Sequence, residues 1–436
     1  MPPDQAMIDH PDYPHYASRD HLEAEQLRGL KWSIEHAYGN TACYRTKCDG
    51  AGISPGDLRA FDDLRRFPFT FKSDFRSPDD MFAVPRDKLV RIHASSGTTG
   101  KPTIVGYTRG DLDVWNRLCA RAILAAGGRP GDVLHNAYGY GLFTGGLGIH
   151  GGAERLGCAV VPASGGQTER QAQLICDLKP RIICCTPSYM LVIAEALEQM
   201  AVDPHETSLE IGIHGAEPWS GELRREIERR FGITALDIYG LSEVMGPGVA
   251  QERADARGAL TLWEDAFYPE IVDPQSGEVL PDGAQGELVL TSLSKEAVPV
   301  IRYRTGDLTR LSAPVGDIPM RRMDSITGRS DDMIIIRGVN IFPRQIEELI
   351  ISQQLLSVHY RIDLRRFGTR DELEITTELA TACTEAAAED ACRNLAHRVK
   401  SHYGITADVK SVSVGTLPRS EGKVRRVFDH RRDPKP

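Results

Sequence analysis

The sequence predicts an α/β protein with two domains. A large N-terminal domain of mixed and parallel sheets covered by helices takes residues 1–328, and a small mobile α+β C-terminal domain takes 333–436, joined by a hinge at 329–332. Three observations predict this. From about 90 to 240, short apolar runs alternate with helical stretches, the pattern of parallel β–α units buried on both faces. From about 260 to 326 the pattern changes to short strands and turns. Beyond Arg329-Ser330-Asp331 a separate succession of strands and helices begins. At 436 residues the chain is long enough for two or three domains with a full core.

Taken in order, residues 20–48 predict one amphipathic helix, because Leu22, Leu27, Leu30, Ile34 and Ala37 recur near helical spacing. Strands are expected at 88–94, 132–136, 159–162, 181–185, 210–214 and 234–238, with helices at 168–178 and 188–200. Further strands are expected at 287–291 and 308–311. In the small domain, strands are expected at 333–336 and 372–377, and helices at 345–352 and 385–402. In sheets of this kind ligands sit beyond the carboxyl ends of the strands, where the Gly-rich turns fall here.

Composition narrows the function classes. Hydrophobic residues make up 41% and charged residues 26%, as in an ordinary soluble enzyme. A net charge of −9 argues against nucleic acid or a membrane surface as partner. The N-terminus has acids and prolines rather than a basic start and apolar core, so no signal peptide is expected. No apolar run approaches the roughly 20 residues that span a bilayer. Nine scattered cysteines without CxxC spacing point to a reducing cytoplasm.

The most informative run is Ser95-Ser96-Gly97-Thr98-Thr99-Gly100-Lys101-Pro102. Glycines let backbone amides approach an anion, hydroxyls add neutral donors, and Lys101 supplies a cation. It does not fit the Walker pattern, since Pro102 follows the lysine. Alone it also reads as a plain Ser/Gly turn. Tyr239-Gly240-Leu241-Ser242-Glu243 follows a strand, where a carboxylate facing a phosphate loop suits Mg²⁺; a helix-capping surface Glu is the plain alternative. In Tyr303-Arg304-Thr305-Gly306-Asp307, the acid at a strand end suits both hydroxyls of a ribose, or is an ordinary turn. Gly215-Ala216-Glu217-Pro218 could present backbone to a purine. Gly328-Arg329-Ser330-Asp331-Asp332 is a linker able to absorb a rotation, and Arg419-Ser420-Glu421-Gly422-Lys423 ends in a lysine that is either a solvated charge or a delivered cation.

Together and in this order these segments resemble the adenylate-forming superfamily of acyl-CoA synthetases, peptide-synthetase adenylation domains and luciferases. Within it, Tyr138-Gly139-Tyr140-Gly141-Leu142-Phe143-Thr144-Gly145-Gly146-Leu147-Gly148, Ala216-Glu217-Pro218-Trp219, Gly246-Pro247-Gly248-Val249 and Gly338-Val339-Asn340-Ile341-Phe342-Pro343 are similar to phenylacetate–CoA ligases. The resemblance runs from about residue 20 to about 430. It implies that Ser95, Ser96, Gly97, Thr98, Thr99, Gly100 and Lys101 cradle the β- and γ-phosphates of ATP. Ala216, Glu217 and Pro218, with Asp237 and Tyr239, would border the adenine. Ser242 would sit by the α-phosphate, Glu243 would hold Mg²⁺, and Asp307 would bind the ribose with Arg329 assisting. Asp331 would be the hinge, and Lys423 would stabilise the adenylation transition state. Tyr138, Tyr140, Phe143, Gly145, Gly146 and Gly215 would line the acid pocket, the glycine density there being better pocket lining than core.

The implied reaction activates a benzoate or arylacetate as acyl-AMP and passes it to CoA, or alternatively to a carrier protein, an amine or a hydroxyl. A homodimer is compatible with the resemblance. Two departures stand out. Relatives carry a small zinc site where this chain reads Gln251-Glu252-Arg253, Gly258-Ala259-Leu260 and Ala313-Pro314-Val315, which lack thiolate or imidazole ligands; no structural zinc is expected, and a branch apart from the catabolic enzymes is implied. His214 stands where relatives are apolar or aromatic. Its imidazole either hydrogen-bonds a hydroxyl or amino substituent of the acid or caps the turn.

Overall fold

The computed structural model of the chain describes residues 10–16, 18–95, 102–330, 334–336, 339–367, 370–419 and 426–431. Helices α1 (Arg19–Asn40) and α2 (Ala42–Ala51) replace the single N-terminal helix expected from periodicity. Thr41 causes the break. It takes extended backbone angles, its hydroxyl donates back to the Ala37 carbonyl at 2.8 Å, and the same oxygen accepts from Tyr44 N to cap α2. A short helix, α3 (Pro78–Met81), then leads to the hairpin β1 (Arg91–Ser95) and β2 (Thr103–Tyr107).

The centre is a nine-stranded sheet. Its parallel part holds β3 (Val133–Asn136), β4 (Ala159–Val161), β5 (Ile182–Cys185), β6 (Ile211–Gly215) and β7 (Thr234–Leu241), paired in the order β4-β3-β5-β6-β7. These are the apolar runs of the sequence, and they are apolar because helices cover both faces. On one side lie α4 (Arg109–Ala125) and α5 (Thr144–Leu156), and the remaining large-domain helices are α6 (Thr168–Leu178), α7 (Pro187–Gln199) and α8 (Gly221–Phe231). The sheet continues antiparallel through β8 (Gly246–Arg253) and β9 (Ala256–Leu262). A five-stranded antiparallel sheet follows, built on β10 (Phe267–Val272), β11 (Val279–Leu280), β12 (Gly286–Ser292) and β13 (Tyr303–Thr309). The strand expected at 308–311 is divided at Arg310. Thr309 ends β13, and Leu311–Ser312 forms β14, which pairs with β15 (Arg322–Met323) at the edge of the large sheet. The fifth strand of the smaller sheet, β16 (Gly328–Arg329), lies against the end of β13.

The small C-terminal domain begins with the hairpin β17 (Ile334–Ile336) and β18 (Val339–Ile341). Helix α9 (Pro343–Ile351), strands β19 (Leu356–Phe367) and β20 (Arg370–Leu379), helix α10 (Glu385–Tyr403), and strands β21 (Ala407–Val412) and β22 (Val427–Asp429) complete it, in the sheet order β21-β20-β19-β22. It has its own core around Ile346, Ile350, Ile362, Ile375 and Leu395. It also leans on the large domain, where Ile351 and Val358 pack against the buried cluster under α7 and α8.

Candidate functional site

The site forms at the carboxyl ends of the parallel strands. Beyond β7 the chain turns through Ser242–Met245, and Glu243 is buried in that turn at 5% exposure. Its Oε1 accepts from Ser95 Oγ at 3.4 Å and lies 3.7 Å from Lys72 Nζ. Ser95 is the last residue of β1 and stands opposite Thr103, so the hairpin brings the base of the predicted phosphate loop to the acid. Ser96, Gly97, Thr98, Thr99, Gly100 and Lys101 lie outside the described residues.

Behind the turn is Lys295, fully buried, whose Nζ donates to the Glu243 carbonyl at 3.1 Å and lies 5.1 Å from the centre of the Tyr107 ring. Burial pulls its ammonium down to about 8. The Tyr107 hydroxyl donates to the Met245 carbonyl at 2.6 Å, so the backbone is pinned at Glu243 and again two residues on. Lys72 and Lys295 were not singled out from the sequence. Neither belongs to a motif, and only the tertiary fold carries them to Glu243. The Thr144 and Ser242 hydroxyls lie 3.0 Å apart, joining the start of α5 to the same turn.

Tyr239, Asp307 and Arg329 come together as one constellation. The Tyr239 hydroxyl donates to Asp307 Oδ2 at 2.6 Å, and Arg329 Nη1 donates to Oδ1 at 2.8 Å from the neighbouring strand β16. Burial and the adjacent Asp307 push the Tyr239 phenol well above its ordinary value, which keeps it a donor. Two residues back along β7, Asp237 accepts from Ser325 Oγ at 3.1 Å, and burial pushes its carboxyl up to about 6. Asp331 and Lys423 lie outside the described residues.

At the end of β6 the backbone of Ala216 takes φ +71°, a left-handed turn that leaves Ala216 and Pro218 exposed. Glu217 folds inward instead. Its Oε1 accepts the Ser188 N–H at 2.7 Å at the start of α7, and burial raises its carboxyl. The turn therefore offers its backbone and small side chains outward while the acid caps a helix. Gly215 is required by packing, since a Cβ there would meet the Ile238 carbonyl oxygen at 2.3 Å.

The Gly-rich stretch divides into two parts. A Cβ at Gly139 or Gly141 would meet nothing within 4 Å, Tyr140 is half-buried with its hydroxyl accepting from Asn136 Nδ2 at 2.8 Å, and Phe143 is 53% exposed. Inside α5 the picture reverses: a Cβ at Gly146 would meet the Gly139 carbonyl oxygen at 2.6 Å, at Gly148 the Trp115 ring at 2.5 Å, and at Gly152 Cys119 at 2.2 Å. Gly148 and Gly152 let α5 lie against α4, and Gly146 lets the first turn of α5 lie against the Gly139 backbone, so these positions are held by packing. Gly145 is intermediate, with Tyr138 at 3.4 Å, and Tyr138 itself is buried with its hydroxyl donating to the Ile213 carbonyl at 3.3 Å.

His214 is not brought to the open side. It is fully buried, its Nδ1 donates to the Cys185 carbonyl at 3.2 Å, and its ring packs edge-on to Trp219. Nε2 is without a hydrogen-bond partner and points back along β6, where a Cβ at Gly212 would meet it at 2.3 Å. Strand alternation puts His214 on the face opposite Ile213, and burial pulls its imidazole down to about 4. The substrate-contact expectation is replaced by a neutral, buried ring.

The three segments that the resemblance sets against a zinc site are occupied by pairings within the chain. Glu252 accepts from Arg224 at 2.7 Å and from Gly258 N at 2.7 Å, Arg253 pairs with Asp255, and Arg322 donates to the carbonyls of Ala256 and Ala259. Among the described residues no group of three or more His, Cys, Asp or Glu is arranged to hold a metal ion, and no helix is long and apolar enough to cross a membrane.

A family model described as "AMP-binding enzyme" matches residues 44–294, and one described as "AMP-binding enzyme C-terminal domain" matches 338–431. The chain is 56% identical over 420 residues to a phenylacetate-coenzyme A ligase of Pseudomonas putida, covering 95% of each chain. It is 57% identical over 421 residues to that of Escherichia coli strain K12, covering 95% of this chain and 96% of the relative. Among solved structures, 2-hydroxyisobutyryl-CoA ligase in the postadenylation state with 2-HIB-AMP superposes with a TM-score of 0.89 at 28% identity, covering 97% of this chain and 95% of the other. The same ligase with 2-HIB-AMP and CoA in the thioesterification state gives 0.71 at 28% identity, covering 98% and 96%.

Proposed function

The chain belongs to the AMP-binding enzyme family, and from that premise we propose that it is an AMP-forming ligase that joins an arylacetate to CoA. The observation that carries this reading is the end-to-end likeness, at 56–57% identity, to two phenylacetate-coenzyme A ligases. That likeness favours an arylacetate over a benzoate.

In the first half-reaction a carboxylate oxygen of the acid attacks the α-phosphorus of ATP, and the bond to pyrophosphate breaks. Catalysis is positioning and charge stabilisation, since the carboxylate is its own nucleophile. Asp307 binds the ribose hydroxyls, with Tyr239 and Arg329 fixing its two oxygens. Ala216 and Pro218 border the adenine through the exposed turn, with Asp237 and Tyr239 beneath it. Ser242 lies by the α-phosphate, the loop Ser95–Lys101 holds the outer phosphates, and Lys72 stands beside Glu243. Glu243 presents a hard oxygen of the kind Mg²⁺ binds together with phosphates. When bound, that ion would offset phosphate charge, and the Lys295 contact keeps the Glu243 backbone in place. Lys423 stabilises the developing charge, and Asp331 is the hinge between domains 1–328 and 333–436. Tyr140, Phe143 and the open Gly139–Gly141 turn border the acid.

In the second half-reaction the CoA sulfur attacks the acyl carbon and AMP leaves with the phosphate oxygen. The superposition is better with the postadenylation neighbour than with the thioesterification one, which supports reading the arrangement here as one other than that of thioester formation.

The test is acid-dependent pyrophosphate release across benzoates and arylacetates, with and without CoA, followed by mass spectrometry. An arylacetyl-CoA is expected. Acyl-AMP accumulating despite CoA would move the acceptor to a carrier protein, an amine or a hydroxyl.

A further inference from the structure

We infer that Glu195 is a positioning residue for adenylation, the clasp that holds the small domain in the arrangement seen here; the inference rests on the two-step reading above. Glu195 stands on α7 of the large domain, and each carboxylate oxygen takes a different small-domain partner. Oε1 lies 3.0 Å from His359 Nε2 at the start of β19, and Oε2 lies 3.2 Å from Arg419 Nε. None of the three is fully solvated, with side-chain exposures of 32% for Glu195, 12% for His359 and 24% for Arg419. Such half-buried, charge-assisted contacts are stronger than surface pairs. His359 and Arg419 hold the Glu195 carboxyl below its usual range, against the effect of burial.

Arg419 is rigid within its own domain. Its Nη1 and Nη2 donate to the two oxygens of Glu378 at 2.8 and 2.9 Å, and Glu378 also accepts from Gly415 N and Leu417 N. Pulling on Glu195 therefore pulls on the whole β20 end of the small domain rather than on one flexible side chain. Arg419 also stands four positions before Lys423 in the sequence. Among the described residues the same contact also holds Ile351 and Val358 against the large-domain core, α9 against α8, and Arg344 Nη1 donating to the Ile326 carbonyl at 2.8 Å. A domain that must turn between half-reactions needs a contact that is specific to one arrangement and can break in water. A divided carboxylate meets both needs better than a large apolar face.

The experiment separates the half-reactions. Pyrophosphate exchange into ATP, dependent on phenylacetate, reads the first; thioester formation from synthetic phenylacetyl-AMP and CoA reads the second. Glu195→Gln should slow the first roughly tenfold, the shift that loss of one charge-assisted hydrogen bond brings. It should leave the second unchanged or faster. His359→Leu removes one arm and should give a smaller split in the same direction. Equal loss in both half-reactions, or no change in either, overturns the clasp, and thermal unfolding of each variant separates loss of the clasp from loss of the fold. Small-angle scattering of the ligand-free full chain provides a readout free of activity. Glu195→Gln should shift the profile away from the arrangement described, and an unchanged profile overturns the inference. If wild type shows neither half-reaction with any acid, the ligase reading has failed, and scattering alone then decides the clasp.

Discussion

Two layers of the large domain carry the residues that the motifs single out, and they are held in opposite ways. At the strand ends Tyr239, Asp307 and Arg329 meet through hydrogen bonds and one ion pair, and the nearby Ala216 and Pro218 face solvent. One layer back, His214, Gly146, Gly148 and Gly215 are locked by atoms at distances that leave no room for change. The same motif vocabulary thus covers two tasks: presenting polar groups that a ligand can take over, and allowing strands and helices to approach. Substitutions at the strand ends should alter turnover and spare stability, while those behind should do the reverse.

The sharpest test is Asp307→Ala. Two charge-assisted hydrogen bonds to a ribose, at about 1.5–3 kcal/mol each, set an expected loss of at least ~100-fold in kcat/KM for ATP. Steady-state kinetics at varied ATP would check it, and a loss below tenfold would remove Asp307 from the ribose site. Next comes Gly148→Ala, where the new methyl meets the Trp115 ring; overpacking of this kind costs about 1–3 kcal/mol. Urea unfolding should show that cost with the KM for ATP unmoved, and a variant as stable as wild type would mean that the close approach of α5 to α4 does not depend on Gly148.

His214 gives a pH signature. Its folded value of about 4 lies below the ordinary 6.5, so the unfolded chain takes up the proton first as pH falls. Its contribution to stability is therefore full above about 6.5 and is lost toward pH 4, at no more than about 1.4 kcal/mol per pH unit. His214→Phe should flatten that slope while leaving the profile of accepted acids unaltered. A changed acid profile would restore His214 to the substrate. The smallest effect is expected at Phe143, which is largely exposed: Phe143→Ala should move the KM for the acid about twofold. A tenfold rise would make the Phe143 ring a main wall of the acid site rather than part of its rim.

The parallel strands were legible because burial on both faces makes them short unbroken apolar runs, as Ile182–Cys185 shows. The strands Gly246–Arg253 and Ala256–Leu262 were not, because Gln251, Glu252, Arg253 and Thr261 are buried by pairing rather than by apolarity, which erases alternation. In Leu356–Phe367 the charges of Arg361 and Asp363 sit in an ion pair within the strand and mask it in the same way. Tyr239, Asp307 and Arg329, each carried by its own contiguous motif, are brought together in the folded chain. Lys72 and Lys295 were missed because their nearness to Glu243 exists only in the folded chain. For His214 the sequence leaves two readings open, because a position at a strand end says nothing about which face the ring takes.

The strand β16 is two residues long, and Arg329, its last residue, stands opposite Asp307. The chain thus leaves the large domain through the residue that pairs with Asp307. In the proposed reading a turn of the small domain strains this two-residue edge strand first, so the motion is registered at Arg329 and Asp307 while the adenylate stays in place for the second half-reaction.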